Sequence, residues 1–227
     1  MNAWAIVAAA GEGRRFGGPK AFAPLAGLPM VAHSLRALAQ VEAIRSIVLV
    51  VARELVADAP AMLATTMPAT PMTIASGAGT RQRSVSAALE LVPPDAEVVL
   101  VHDAARPLVT PGLISAVLDA TAGAAGAIAA VPERDTIKRV AGRSISETVD
   151  RDGLWRAQTP QAFRTGVLRH AHELAGDGDD ATDDAVLLER IGETVVVVPG
   201  DERNIKVTLP EDLAVAEAIL EARRLKS

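Results

Sequence analysis

Val7-Ala8-Ala9-Ala10-Gly11-Glu12-Gly13-Arg14-Arg15-Phe16-Gly17-Gly18-Pro19-Lys20 is an apolar run ending in a glycine-rich loop that carries Arg14, Arg15 and Lys20. Glycines let backbone N–H groups approach an anion closely, and the cations add charge able to hold a polyphosphate. A dinucleotide-binding fingerprint would need a third glycine where Phe16 stands, and its backbone and helix dipole would leave two adjacent arginines surplus. A Walker A loop would need lysine where Pro19 stands. The loop reads as a phosphate grip of another kind, with Lys20 on a proline-containing segment; the plain alternative is a solvated basic turn.

Working outward, 227 residues suffice for one sizeable core, so residues 1–227 are read as a single domain. Hydrophobic residues make up 49% and aromatic ones 2%, so alanine and valine carry the core and packing must be tight. The sequence has no cysteine, which excludes disulfides, thiolate metal sites and a cysteine nucleophile and fits the reducing cytoplasm. A net charge of −5, with no basic arm and no interleaved aromatics, argues against a nucleic-acid partner. No apolar run approaches the roughly 18 residues of a membrane span, and Ala3–Ala10 follows no basic segment, so a soluble, untargeted chain is expected.

Short β-branched runs alternate with alanine- and leucine-rich stretches, the pattern of a mostly parallel sheet covered on both faces. Strands are expected at Trp4–Ala8, Ile47–Val51, Thr73–Ala75, Val98–His102, Gly126–Val131 and Thr194–Val198. Helices are expected at Met30–Gln40, Glu54–Met67, Arg81–Leu91, Pro111–Thr121, Arg164–Ala175, Asp184–Arg190 and Pro210–Leu225. Thr208 and Glu211 have capping-box spacing before the last helix, and Thr182 is placed to cap the one before it. Residues 133–157 break the alternation with polar, period-two segments around Ala141-Gly142-Arg143, which predicts a hairpin arm. A two-stranded ribbon is marginal alone, so an arm exchanged between subunits is favoured over an edge hairpin, with Trp155 packed at its base.

In open α/β sheets ligands sit beyond the carboxyl ends of the strands. Asp103-Ala104-Ala105-Arg106-Pro107, Arg134-Asp135-Thr136 and Arg203-Asn204-Ile205-Lys206 each follow a predicted strand, as the grip does. Four polar turns at one end of a sheet converge on an anionic ligand, although any one of them alone is compatible with a structural ion pair. His102 is read as packed rather than as a general base, and His33, His170 and His172 as helix residues rather than ligands. The acidic run Asp177, Asp179, Asp180, Asp183 and Asp184 is read as a solvated loop.

His102-Asp103-Ala104-Ala105-Arg106-Pro107, Asp135-Thr136-Ile137-Lys138-Arg139, Leu154-Trp155-Arg156-Ala157-Gln158-Thr159-Pro160-Gln161, Thr182-Asp183-Asp184-Ala185 and Asn204-Ile205-Lys206-Val207-Thr208 follow the grip in one order. With Pro210-Glu211-Asp212-Leu213 they make the chain, from about Trp4 to Leu213, resemble the 2-C-methyl-D-erythritol 4-phosphate cytidylyltransferase family. The resemblance implies an α/β fold: a single Rossmann-like nucleotidyltransferase domain with a mostly parallel central sheet and a protruding β-arm used in homodimerisation.

It also implies that Ala8, Ala9, Ala10, Gly11, Gly13, Arg14, Arg15, Lys20 and Ser84 bind CTP. Asp103, Arg106, Thr136, Arg151, Thr182 and Lys206 would bind methylerythritol phosphate, with Thr136 and Arg151 serving the partner subunit's site. Arg15, Lys20, Arg151 and Lys206 would be catalytic, with Mg2+ bridging the CTP phosphates and no metal ligand assigned to the protein. Two departures stand out: Ala8 replaces the family's usual proline, and Ser76-Gly77-Ala78-Gly79-Thr80-Arg81 lacks the acidic residue often found before the arginine. The second bears on the cytosine contacts around residues 77–80.

The implied reaction is a step of the non-mevalonate isoprenoid route, in which a phosphate monoester attacks the α-phosphorus of CTP. Its second pKa is near 6, so the nucleophile arrives ionised, and charge relief and positioning matter more than a general base. The alternatives are a cytidylyltransferase for another alditol phosphate, such as ribitol 5-phosphate, and a nucleotide-binding module without turnover. A dehydrogenase is disfavoured by Phe16.

Overall fold

In a computed structural model, which describes residues 1–11, 16, 18–176 and 181–225, the chain alternates strands and helices in the expected order. The strands are β1 (Ala3–Ala9), β2 (Pro24–Leu25), β3 (Leu28–Pro29), β4 (Ile44–Val51), β5 (Met72–Ser76), β6 (Val98–Asp103), β7 (Gly126–Pro132), β8 (Ile137–Ala141), β9 (Ser144–Val149), β10 (Trp155–Arg164) and β11 (Val195–Pro199). The helices are α1 (Met30–Ala39), α2 (Ala59–Met62), α3 (Arg81–Leu89), α4 (Pro111–Ala120), α5 (Thr165–Ala175), α6 (Ala185–Arg190) and α7 (Glu211–Arg224).

The central sheet has the order β11-β7-β10-β6-β1-β4-β5, and every neighbouring pair is parallel except the two that β10 makes. Ala3, Ala5 and Val7 of β1 enter one core with α1 and α4, while Ile6 enters the other with α3, α5 and α6. That division follows from the period-two alternation of a strand buried on both faces. Because β1, β6, β7 and β11 run the same way, the polar turns that follow them emerge at one edge of the sheet, as expected.

Several local expectations are corrected. The helix expected over Glu54–Met67 is a 3-10 turn at Arg53–Leu55 followed by the four-residue α2; Pro60 at its start and Pro68 beyond it remove backbone donors that a longer helix would use. Trp155–Arg164 is a ten-residue strand inserted antiparallel between β6 and β7. Pro160 and the polar Gln158, Thr159 and Gln161 hide it from any β-branched pattern. Trp155 opens this strand and is 45% exposed, so within one chain it is not a packed anchor.

Helix α7 is entered through Asp212, whose Oδ2 accepts the Thr208 and Leu209 N–H groups at 2.7 and 2.9 Å, so the turn is closed one residue later than the expected Glu211. Thr182 is exposed and makes no cap; Asp183 Oδ1 accepts the Val186 N–H at 3.2 Å instead. The expected hairpin is present as β8 and β9, a two-stranded sheet separate from the central one, with Gly142 at φ 62 in its turn. Its register partners Val140 and Ile145 are 54% and 63% exposed.

Candidate active site

A cavity of about 1000 Å³ opens at the carboxyl edge of β1, β5 and β6. Of the residues predicted for the site, Ala8, Ala9, Ala10, Gly11, Lys20, Ser84, Asp103 and Lys206 all line it. Gly13, Arg14 and Arg15 lie outside the described residues. Arg106, Thr136, Arg151 and Thr182 are not in its wall.

The floor is tied together by backbone. The Ala104 N–H donates to Ala8 C=O at 3.0 Å, joining the ends of β1 and β6, and the Val207 N–H donates to Ala105 C=O at 2.8 Å, drawing the Lys206 loop over them. Lys20 Nζ donates to Val207 C=O at 2.9 Å, so the cation after the grip meets the same loop. On the far wall Ser84 Oγ donates to Thr80 C=O at 2.7 Å and accepts the Ala78 N–H at 3.0 Å. Ser84 therefore shapes the 77–80 loop in addition to lining the cavity. A Cβ at Gly77 would overlap the Ala10 Cβ and crowd Ser84 Oγ at 3.2 Å, so only glycine allows these two loops to touch.

Asp103 is the charged centre. Its Oδ1 accepts Arg81 Nε at 3.2 Å and its Oδ2 accepts Lys206 Nζ at 2.7 Å. Burial opposes its ionisation, but Arg81 and Lys206 overcome that and hold the carboxyl well below the usual carboxylate range. Asp103 pairs with these two cations and not with Arg106 three residues on. Arg106 braces backbone instead, donating through Nη1 to Asn204 C=O at 2.8 Å and through Nη2 to Ala157 C=O at 3.2 Å. Burial lowers the Arg106 pKa despite the nearby Asp103 charge.

His102 is fully buried, as expected of a packed histidine, with Nε2 on Arg106 C=O and Nδ1 on Thr159 Oγ1, both at 3.1 Å. Burial pushes its pKa down to about 4, which leaves it neutral at pH 7. Thr159 Oγ1 also accepts the Asp103 N–H at 3.0 Å, so the overlooked β10 fixes the backbone of the central carboxylate.

Two further residues escaped the sequence reading. Arg81 Nη1 donates to Asp184 Oδ2 at 2.7 Å, and Asp184 is 1% exposed rather than part of a solvated run. Burial works against the Arg81 charge, yet Asp184 and Asp103 raise its pKa above the ordinary arginine value. The available signal was Arg81 itself, a cation at the first position of a helix, where the helix dipole opposes it unless carboxylates offset the clash.

Arg151 is exposed between β9 and β10 and donates through Nη1 to Arg134 C=O at 2.5 Å; Thr136, at the other root of the arm, is exposed too. Among the described residues no group of three or more His, Cys, Asp or Glu side chains is placed to hold a metal, and both Asp103 oxygens are taken by cations. The described side chains of the cavity therefore do not make a metal site of their own. No helix among the described residues is long and apolar enough to cross a membrane.

The model of the 2-C-methyl-D-erythritol 4-phosphate cytidylyltransferase family matches residues 3–222. A protein of that name from Bacillus licheniformis is 41% identical over 227 residues, spanning 99% of this chain and 98% of its own. Another from Deinococcus radiodurans is 45% identical over 218 residues, spanning 95% and 88%. The solved 4-diphosphocytidyl-2C-methyl-D-erythritol synthase of Anaerococcus prevotii superimposes with a TM-score of 0.84 at 29% identity, covering 96% of this chain and 98% of that one. The 2-C-methyl-D-erythritol 4-phosphate cytidylyltransferase of Thermus thermophilus gives 0.78 at 31% identity, covering 96% and 98%. Matched by the family model over residues 3–222 and by relatives of 41% and 45% identity over nearly its full length, the chain belongs to the 2-C-methyl-D-erythritol 4-phosphate cytidylyltransferase family.

Proposed function

We propose that the protein transfers a cytidylyl group from CTP to 2-C-methyl-D-erythritol 4-phosphate in the cytoplasm, as a step of the non-mevalonate isoprenoid route. The observation that carries this reading is the meeting of Lys20, Lys206 and Asp103 in one cavity at the strand ends. A phosphate oxygen of the acceptor attacks the α-phosphorus of CTP, the bond to the bridging oxygen breaks, and pyrophosphate leaves with that electron pair. The attacking oxygen is already ionised near pH 7, so no side chain needs to remove its proton.

The residues supply positioning and charge. Lys20, with Arg14 and Arg15 of the grip, holds the triphosphate and relieves the charge that grows on the leaving group. Lys206 receives the incoming phosphate, and Asp103 accepts hydroxyls of the polyol. Backbone groups of Gly77, Ala78 and Gly79 and the Ser84 hydroxyl face the nucleotide. Mg2+ enters with CTP as part of the substrate, shielding the phosphate oxygens.

The arm supports the homodimer reading, since Val140 and Ile145 lie exposed on a ribbon with no third strand among the described residues. In that dimer Thr136 and Arg151 of one subunit serve the other's cavity, and Arg106 and Thr182 border the acceptor. Purified protein given CTP, Mg2+ and methylerythritol phosphate is expected to release pyrophosphate, with ATP, GTP and UTP as nucleotide controls and ribitol 5-phosphate as the acceptor control. Turnover of ribitol 5-phosphate alone would reassign the acceptor, and CTP binding without any turnover would end the reading.

A further inference from the structure

Asp103 does not stand at the end of its network. A continuous line runs His172–Asp184–Arg81–Asp103–Lys206: His172 Nε2 donates to Asp184 Oδ1 at 3.2 Å, and Arg81 Nη1 takes Asp184 Oδ2 at 2.7 Å. Arg81 Nε then reaches Asp103 Oδ1 at 3.2 Å, which leaves Asp103 Oδ2 to Lys206 at 2.7 Å. Each carboxylate gives one oxygen to Arg81 and the other to a different donor.

A guanidinium and a carboxylate left to themselves pair bidentately, with both oxygens on one fork. Asp184 holds Nη1 and so fixes how the guanidinium lies: only Nε reaches Asp103, through a single oxygen, while Nη2, the other half of that fork, is buried without a hydrogen-bond partner among the described residues. His172 keeps Asp184 turned toward Arg81 by occupying its second oxygen. Asp184 is not in the cavity wall, whereas Arg81, Asp103 and Lys206 are.

We infer that Asp184 is a positioning residue which, by restraining Arg81, reserves Asp103 Oδ2 for Lys206 and so sets the place of the Lys206 ammonium. The kinetic part of this inference rests on the function proposed above; the placement of Lys206 does not. Asp184→Asn keeps the shape and removes the charge that holds Nη1.

Lys206 labelling by an amine-acetylating reagent, read by mass spectrometry, is expected to rise several-fold in Asp184→Asn, with Lys138 of the arm labelled as in the parent protein. Where the parent turns over methylerythritol phosphate, the KM for that acceptor is expected to rise roughly tenfold while the KM for CTP changes little. Unchanged Lys206 labelling in a folded Asp184→Asn protein overturns the inference, as does a loss of kcat that tracks the folded fraction with an unchanged acceptor KM. Should Asp184→Asn not fold, His172→Leu, which frees Asp184 Oδ1, is read by the same labelling, and an unchanged Lys206 there overturns it equally. Inactivity of the parent protein with normal labelling shifts would instead count against the proposed function alone.

Discussion

Lys206 donates its ammonium to Asp103 Oδ2 at 2.7 Å across 103 residues of sequence, joining the loop after β11 to the end of β6. The pair is half in water, with the lysine side chain 46% exposed and the aspartate 12%. An ion pair so placed adds little to stability but fixes a cation at the rim of the cavity. Lys206→Ala is therefore expected to cut kcat/KM by on the order of 10²-fold or more, with a Tm close to the parent's. Pyrophosphate release and thermal unfolding measured on one preparation check both halves, and near-normal turnover would remove Lys206 from the mechanism.

Lys20 offers a parallel test on the nucleotide side. Its amine reaches the Val207 carbonyl in this structure, a contact easily exchanged for a phosphate oxygen. Lys20→Ala should lose about 10²–10³-fold in turnover while its far-ultraviolet dichroism stays unchanged. A Lys20→Ala enzyme as fast as the parent would separate the grip from the chemistry.

Gly77→Ala tests the contact between the loops that follow β1 and β5. The added methyl must displace Ala10 or Ser84, so a loss of about 1–3 kcal/mol in unfolding free energy is expected. The KM for CTP should rise with it, because the displaced loops are the ones assigned to the nucleotide. Urea unfolding that matches the parent curve would show that the loops separate without cost.

Subunit mixing tests the arm. If Arg151 acts across a dimer, Lys20→Ala and Arg151→Ala proteins, each inactive alone, should recover roughly a quarter of parental activity after random exchange, since one of the two sites in each heterodimer is intact. Demonstrated exchange with no recovery would make each subunit self-sufficient.

Acid should destabilise the fold through His102. Its folded pKa is near 4 against 6.5 unfolded, so the unfolded chain takes up a proton that the native state refuses as pH falls through that window. Stability is fully present above about pH 6.5 and falls toward pH 4, by up to about 3 kcal/mol from this residue. His33, also lowered by burial, adds to the trend with the same sign. Asp103, held low by its cations, contributes further loss only as pH drops beneath the normal carboxylate range. Unfolding free energies measured from pH 7 to pH 5 should decline, and His102→Gln should reduce the slope; an unchanged slope would assign the effect elsewhere.

Much of the site was legible because it lies in short sequence-local turns. Ala8 to Gly11, Lys20, Asp103 and Lys206 each end a strand or follow a strand or a glycine-rich break, and the parallel order of the sheet brings strand ends together. What stayed hidden depends on distance along the chain. Arg81 and Asp184 look bland in their own neighbourhoods, and the acidic residues around Asp184 resemble a solvated loop until α3, α5 and α6 bury it. The strand β10 stayed hidden because Pro160 and its polar neighbours carry no strand period, although Thr159 touches both His102 and Asp103. The helix expected after Glu54 failed on proline, a local signal outweighed by the apolar count.

The scarcity of aromatic residues has a practical consequence. Trp4 and Trp155 are the only tryptophans and there is no tyrosine, so ultraviolet emission comes almost wholly from a partly buried ring in β1 and a half-exposed ring at the root of the arm. Trp155→Phe would leave Trp4 as a lone reporter of unfolding, and Trp4→Phe would leave Trp155 as a lone reporter of what covers the arm. A blue shift of the second signal with rising protein concentration would record association optically, with no dye attached.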